Sequence, residues 1–156
     1  MRYNFMNDHN ECAHERILEA IARANREQDD SYGLDSRCAN ARALIQARLG
    51  GAQSDVHFLV GGTQANLTII AASLKPYQGV VCAESGHINV HETGAIEATG
   101  HKVLALPTTD GKITAEQIAA YVAAHYADST AEHMVQPGMV YLSQPTEVGT
   151  IYSKDE

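Results

Sequence analysis

The sequence has little positive charge and no long apolar run, and both features narrow what the protein can bind. Among its 156 residues, 11 are Lys or Arg and 19 are Asp or Glu, giving a formal net charge of −8. An acidic chain without a Lys/Arg cluster is a poor partner for the phosphate backbone of DNA or RNA. The longest apolar run, residues 67–74, contains Thr68 and Ser73 and is too short to cross a bilayer. We therefore expect no nucleic-acid partner and no membrane partner.

Cysteine is also scarce, and its pattern indicates whether the protein works in a reducing or an oxidising compartment. Cys12, Cys38 and Cys82 are odd in number, widely spaced and without a CxxC pair, so they predict no disulfide framework. Cys82 falls within a predicted apolar strand, and we expect it to be a core residue. Residues 1–12 contain no apolar stretch and carry two acidic residues, which is unlike a signal peptide. These features favour a reducing cytoplasm. The overall composition, 44% hydrophobic and 19% charged, is typical of a globular protein that binds a small molecule.

Hydrophobic periodicity predicts helices alternating with strands. Apolar side chains recur at helical spacing over residues 17–24, and further helices are predicted over 37–49 with Ser36 as N-cap, 63–75, much of 87–99, and 114–127. Thr114 and Gln117 predict a capping box at the start of the last helix. Short alternating or apolar segments predict strands over 56–60, 79–83, 102–106 and 139–143. This alternation is typical of an α/β fold, a three-layer domain with a mostly parallel sheet flanked by helices.

The predicted elements divide the chain into two parts. We expect residues 1–35 to form an N-terminal segment with an extended start, a helix and a loop, and residues 36–156 to form an incomplete α/β domain. The chain stops just after the last predicted strand, where an α/β sheet would be expected to continue. We therefore expect a truncated or proteolysed piece, or a shortened gene product.

One glycine turn lies where α/β proteins bind ligands. Gly61 and Gly62 follow the predicted strand over 56–60, and Thr63 opens the next helix. Ligands bind beyond the carboxyl ends of strands, and a helix N-terminus offers free N–H groups to a phosphate. The pattern is neither G-x-G-x-x-G nor a P-loop. On spacing alone, a tight turn with Thr63 as a helix cap is the favoured interpretation.

A second segment with chemical potential follows the strand over 79–83. His87 and His91 stand four residues apart and could face one way on a helix, but Glu92 follows the second histidine instead of the first, which departs from the zinc-protease pattern. We predict no metal site. A histidine at a strand end could instead stack on an aromatic ligand or transfer protons. For His91, His101, His125 and His133 a solvated side chain is the favoured interpretation.

Several of these segments occur together, in order, in one known family. The chain resembles the low-specificity threonine aldolases and aromatic amino acid β-eliminating lyases from residue 4 onward. The segments that carry the resemblance are Asn7-Asp8, Glu11, Ala13-His14, the run Arg16 to Ala20, Tyr32 to Asp35, Gly61 to Asn66, Glu84 to Ile88, Glu92 to Ala95, and Pro145 to Thr150.

The resemblance implies the N-terminal part of the large domain of a pyridoxal 5′-phosphate (PLP) enzyme of fold type I. Such enzymes act as homodimers or homotetramers and cleave β-hydroxy-α-amino acids, such as threonine to glycine and acetaldehyde. By the same resemblance Gly62, Thr63 and Gln64 hold the PLP phosphate. By the same resemblance His87 stacks on the pyridine ring and helps to deprotonate the substrate hydroxyl. Glu92 contacts His87 without contacting the cofactor itself.

The resemblance also implies residues that contact the amino acid substrate. Asn7 falls where many members carry a serine that contacts the substrate carboxylate, and Asp8 lies beside it. Tyr32 lies in a loop that approaches a neighbouring subunit's site in the assembled family. These residues complete the set that we expect to bind or act on the substrate.

Two departures from the family pattern limit what this chain can do. The loop after the strand over 139–143 reads Gln144-Pro145-Thr146-Glu147, where many aldolases carry a histidine. The sequence therefore does not identify the residue that acts as general base. The Schiff-base lysine, together with an aspartate and an arginine, belongs downstream in the family. Lys75, Lys102, Lys112 and Lys154 all fall at ordinary surface positions. We therefore expect no covalently held PLP and no activity from this chain alone.

Two alternatives stay open at this point. The parent enzyme could eliminate the side chain of an aromatic amino acid instead of cleaving threonine, since the residues quoted occur in both groups. The chain could also be a non-catalytic module that only oligomerises or pairs with a separate second half. The edge of the sheet after Ser143 motivates this second alternative, because unpaired strand edges bind other strands.

Overall fold

The computed structural model describes residues 3–4, 6–7, 10–50 and 53–156. The chain divides into two compact units, residues 1–58 and residues 59–156, and each is described by itself. The predicted division into residues 1–35 and 36–156 concerns the domain of a larger protein and stays a prediction. No helix among the described residues is long and apolar enough to cross a membrane.

Unit 1, residues 1–58, contains two helices, α1 (Glu15–Ala24) and α2 (Ser36–Arg48). The predicted cap of the second helix is wrong by one residue: Asp35 is the N-cap, and its carboxylate accepts from the Cys38 backbone N–H at 2.8 Å. An acidic cap fits because the helix N-terminus is the positive end of the helix dipole. Gly50 (φ +68°) follows the helix in the left-handed conformation that glycine adopts without strain.

The strand predicted over residues 56–60 is wrong. Residues 53–59 have no regular structure, although their apolar side chains alternate. Two backbone groups of the predicted strand are bonded to side chains instead: the Val56 carbonyl accepts from Arg42 Nε at 3.2 Å, and the Val60 N–H donates to Gln64 Oε1 at 2.9 Å. Alternation predicts a strand only where a neighbouring strand supplies a ladder, and none pairs with this segment in the described part of the chain.

Unit 2, residues 59–156, is a three-stranded parallel sheet with helices, which confirms the predicted α/β class. The strands are β1 (Gln78–Ala83), β2 (Val103–Leu106) and β3 (Gln136–Val140), in the order β2-β1-β3. The helices are α3 (Gly62–Ser73), α4 (His87–Val90) and α5 (Ala115–Ala127), with single 3₁₀ turns at Glu97–Thr99 and Ala131–His133.

The central strand β1 carries the core of unit 2. Its residues 79–83 are all buried, as expected for a strand covered on both faces. One apolar cluster joins Val80 and Cys82 to Ile70 of α3, and a second joins Val81 and Ala83 to the side of the sheet that α5 covers through Ile118 and Tyr121. Because alternate strand residues point to opposite faces, the two clusters form the two interfaces of a three-layer domain.

Two predicted elements of unit 2 differ in their extent. The last strand runs over 136–140 instead of 139–143, paired with β1 through a register shift at Gly79/Val80. The helix predicted over much of 87–99 ends at Val90, because Thr93 (φ 54°) and Gly94 (φ 72°) are left-handed and reverse the chain. The capping box of Thr114 and Gln117 at α5 is confirmed in both of its hydrogen bonds.

Candidate active site

Three segments of unit 2 meet at the carboxyl end of the central strand. Helix α3 leads into β1 through a short connection, so the two run in opposite directions and the first turn of α3 points toward the end where β1 finishes. Helix α4 starts four residues after β1, and the loop after β3 reaches the same edge, because its Glu147 contacts the His87 backbone. This edge is where parallel α/β sheets bind ligands.

The first turn of α3 offers donors without an internal acceptor. Gly61 is the N-cap residue and supplies no side-chain cap, and Thr63, half-buried, makes no hydrogen bond through its hydroxyl to any described residue. The first N–H groups of a helix have no partner inside it and carry partial positive charge. The side chain of Gln64 turns back to accept from the Val60 N–H, which fixes the approach to the helix.

The two glycines of this turn are not required by the fold of unit 2. Gly61 is extended (φ −167°, ψ 168°), a conformation open to any residue, and Gly62 is not left-handed. A Cβ atom added at either position would meet no atom within 4 Å. Glycine here leaves the backbone open to close approach by a group from outside unit 2, and an anion such as a phosphate suits the N–H groups of the turn.

His87, the first residue of α4, is held by a buried carboxylate. Its Nδ1 lies 2.8 Å from Glu92 Oε1, and Asn66 of α3 donates from Nδ2 to the same oxygen at 2.6 Å. The Glu92 side chain is fully buried, whereas 44% of the His87 side chain is exposed. A half-exposed ring held in this way can stack on a ligand or accept a proton, and the roles predicted for His87 and Glu92 stay predictions.

The backbone of His87 is held by a second acidic residue. Its N–H donates to Glu147 Oε1 at 2.9 Å, and Ser143 Oγ donates to the same oxygen at 2.6 Å. The loop after β3 therefore has a definite task at this site even though it lacks the family's histidine. Sequence reasoning gave Glu147 no role, since 60 residues separate it from His87 and only its place in the motif 145–150 marked it.

The other histidine of this segment takes no part in the network. The His91 ring centroid lies 5.6 Å from that of His87 with the planes tilted by 58°. His91 and His133 are exposed as predicted, whereas the prediction is wrong for His101 and His125, which are buried. In the described part of the chain, no three side chains of His, Cys, Asp or Glu converge as a group that could hold a metal ion. The i, i+4 spacing therefore brings two rings together without making a ligand set.

Cys82, next to this edge, is a core residue. It is 0% exposed, and burial raises the pKa of its thiol to about 11, with smaller contributions from the negative charges of Glu147 and Glu97. Nucleophilic chemistry needs the thiolate, so this position is unsuited to it. The interpretation of Cys82 as core is confirmed.

The predicted substrate-contacting residues belong to unit 1. Asn7 is exposed, and its carbonyl accepts from Asn10 Nδ2 at 3.3 Å. Tyr32 is 97% exposed and left-handed (φ 62°), an uncommon conformation for an aromatic residue. Asp8 lies outside the described residues. The roles of these residues stay predictions.

All four lysines lie outside the first turn of α3. Lys75 follows the opposite end of α3 and lies 6.0 Å from the Tyr77 ring centroid, and Lys102 precedes β2 at the amino end of the sheet. Lys112 is bonded to both carboxylate oxygens of Glu156, at 2.8 and 3.0 Å, and Lys154 is exposed near the end of the chain.

Unit 2 is thus an α/β domain with an open helix N-terminus and a histidine held by a buried glutamate on one edge of its sheet. The sequence matches the beta-eliminating lyase family over residues 5–156, and the chain belongs to that family, which is PLP-dependent.

Its relatives include low-specificity L-threonine aldolases. That of Pseudomonas aeruginosa is 37% identical over 139 residues, covering 88% of this chain and 39% of that protein; that of a Pseudomonas species is 32% identical over the same shares. The structure of Leishmania major threonine aldolase superposes with a TM-score of 0.92 at 46% identity, over 99% of this chain and 44% of that one. This chain thus spans about two fifths of the length of its curated relatives.

Proposed function

We propose that this chain is the N-terminal part of a PLP-dependent lyase that cleaves β-hydroxy-α-amino acids, with threonine going to glycine and acetaldehyde. Family membership and the resemblance to threonine aldolases of three organisms support the reaction class. The observation that carries the proposal for this chain is a half-exposed His87, braced by buried Glu92, on the same sheet edge as an open glycine turn.

The residues of the glycine turn fit the phosphate of PLP. Gly62, Thr63 and Gln64 offer backbone N–H groups at a helix N-terminus, and Thr63 adds a hydroxyl that no described residue uses. Open space where each Cβ would stand allows the phosphate to come close to the backbone. When bound, PLP supplies an electron sink for the bond that breaks at the α-carbon of the substrate.

His87 suits two tasks in this reaction. Its ring can pack on a planar pyridine, since nearly half of its side chain is exposed. Cleavage of the Cα–Cβ bond requires removal of the proton from the β-hydroxyl, and an imidazole nitrogen is a suitable acceptor near neutral pH. Glu92 holds Nδ1 at 2.8 Å, so the proton of the substrate hydroxyl would pass to Nε2.

Substrate binding and assembly form the second part of the proposal. Asn7 and Asp8 would contact the carboxylate of the amino acid, and Tyr32 would reach the site of a neighbouring subunit in a homodimer or homotetramer. The exposure of Tyr32 supports this role, as do the exposed apolar residues of α1, namely Ile17, Leu18 and Ile21. Three free cysteines agree with a cytoplasmic location.

We further propose that this chain alone neither holds PLP covalently nor catalyses the reaction. Lys75 and Lys102 lie toward the amino end of the sheet, away from the end where α3 begins, and Lys112 is engaged by Glu156. The related β-elimination is a second candidate reaction for the parent enzyme, because the matched family is that of the beta-eliminating lyases. In the parent, acetaldehyde released from threonine and ammonia released from an aromatic amino acid distinguish the two reactions.

The test of the phosphate site is Thr63→Ala. Removing the hydroxyl should weaken PLP binding by about 1.5–3 kcal/mol, the range for one hydrogen bond to a charged group, which is roughly a tenfold to hundredfold higher Kd. The measurement is titration of the full chain with PLP, followed by cofactor fluorescence. Thr68→Ala is the matched control, because Thr68 is exposed further along the same helix. Equal affinities of the two variants would return Thr63 to the role of a plain helix residue.

A further inference from the structure

The carboxylate behind His87 depends on a residue of another helix. Asn66 lies on α3 and donates from Nδ2 to Glu92 Oε1 at 2.6 Å, and His87 Nδ1 lies 2.8 Å from the same oxygen. The other oxygen, Glu92 Oε2, is buried and has no hydrogen-bond partner in the described part of the chain. All the polar contacts of this buried carboxylate therefore converge on one oxygen, and Asn66 supplies one of the two.

The contact between Glu92 and His87 determines where the histidine carries its proton. A carboxylate oxygen only accepts, so a neutral imidazole bonded to it must carry its hydrogen on Nδ1. Nε2 is then the acceptor nitrogen, and no described residue bonds to it. A group meant to take a proton from a substrate needs this Nε2-acceptor tautomer, because the other tautomer presents an N–H there.

The amide of Asn66 contributes a donor that does not titrate. A buried carboxylate that lacks donors is costly, and a protonated Glu92 could donate to His87 Nδ1 and reverse the tautomer. We propose that Asn66 is a positioning residue that keeps Glu92 as an acceptor and thereby fixes His87 with its proton on Nδ1. This inference deepens the proposed function, on which its catalytic meaning rests, but it concerns atoms of this chain alone.

The wild-type chain provides the first test. In the full chain with ¹⁵N-labelled histidine, long-range ¹H–¹⁵N correlation spectra identify the tautomer of each neutral imidazole, and a His87→Gln variant assigns the His87 signals. The expected result, at a pH where the imidazoles are neutral, is a His87 ring predominantly protonated on Nδ1. A ring predominantly protonated on Nε2 would overturn the proposal without any further variant.

The second test isolates Asn66. Asn66→Leu keeps a similar volume and removes the donor, and we expect the His87 signals to shift from the Nδ1–H form toward a mixture or the Nε2–H form. The matched control is Asn89→Leu, since Asn89 also donates an amide hydrogen, to the Glu84 carbonyl at 2.7 Å, but lies outside the network. It should leave the tautomer unchanged. Asn66→Ala, a good helix former, replaces Asn66→Leu if that variant does not fold.

The outcomes separate a positioning role from a structural one. If loss of the Asn66 amide lowers the melting temperature but leaves His87 protonated on Nδ1, Asn66 only stabilises the fold and the proposal is wrong. No PLP is present in either test, so the tautomer is measured independently of the phosphate site. Failure of PLP to bind at Thr63 would contradict the proposed function, and it would leave a confirmed tautomer in place.

Discussion

Cys82 illustrates at the residue scale how burial decides the chemistry of a side chain. It lies on the central strand with no exposed surface, and burial raises the pKa of its thiol to about 11, whereas Cys12 is exposed. Cys38 is intermediate in exposure, and its hydrogen bond with Asp35 raises the pKa of its thiol. The three thiols of one chain should therefore differ widely in reactivity, because the thiolate is the reactive form.

We predict that iodoacetamide at pH 8 modifies Cys12 of the folded chain and spares Cys82. Peptide mass spectrometry after timed labelling measures this, and labelling in guanidinium is the control in which all three cysteines react. A raised pKa in the folded state means that stability is lost as pH rises from the unfolded value near 9 toward 11, since the unfolded chain releases its proton first. Native Cys82 labelled as fast as Cys12 would contradict the assigned burial.

Thr93 carries the clearest backbone strain near the site. It is β-branched, exposed and left-handed (φ 54°), directly after Glu92. Such a conformation costs about 1–3 kcal/mol for a residue of this kind. Asparagine tolerates it better, so Thr93→Asn should raise the free energy of unfolding by roughly 0.5–1 kcal/mol. Thermal denaturation checks this, with Thr93→Val as the control that keeps the branched Cβ and should give no gain.

At the scale of elements, α5 is the helix with the most complete local signal. Thr114 accepts from the Gln117 N–H at 3.2 Å, and the Gln117 side chain accepts from the Thr114 N–H at 2.9 Å. Thr114→Ala should lower the free energy of unfolding by about 1 kcal/mol, because a helix donor loses its partner. Thr114→Ser keeps the oxygen and should preserve most of the stability. Chemical denaturation of the wild type and the two variants measures these differences. Equal denaturation midpoints would show that the capping box does not contribute to stability.

Elements with local signals were predictable, and those that depend on distant partners were not. The capping box at Thr114 and the apolar run of β1 are local, and both are confirmed. The strand predicted over 56–60 fails because no described strand pairs with it. The helix predicted from His87 ends early because Thr93 adopts a left-handed conformation, which is uncommon for threonine.

The residues of the candidate site also divide into those that the sequence identified and those that it did not. Family resemblance singled out the turn at Thr63 and the pair His87 and Glu92, and these lie in the same unit on one sheet edge. Asn66 and Glu147 were not assigned roles, because their contacts with Glu92 and His87 span 26 and 60 residues. Contacts of that separation are set by the parallel sheet, whose strand order no local pattern specifies.

At the scale of the whole molecule, the positions of the lysines decide what this chain can do with PLP. A covalently bound cofactor needs an amine beside the phosphate site, and in this chain Lys75 and Lys102 belong to the amino end of the sheet. Lys112 Nζ is held by both oxygens of Glu156. On the proposed function, this chain would hold PLP without a covalent bond.

We predict that borohydride reduction of the full chain with equimolar PLP labels no single lysine stoichiometrically. Peptide mass spectrometry quantifies the label, and a lysine-containing peptide at the same amine concentration gives the background of non-specific reaction. Label spread over Lys75, Lys102 and Lys154 at that background agrees with non-covalent binding, and Lys112 should lag behind them because Glu156 engages its amine. One lysine labelled to completion would show that this chain supplies the amine itself and would overturn its proposed inactivity.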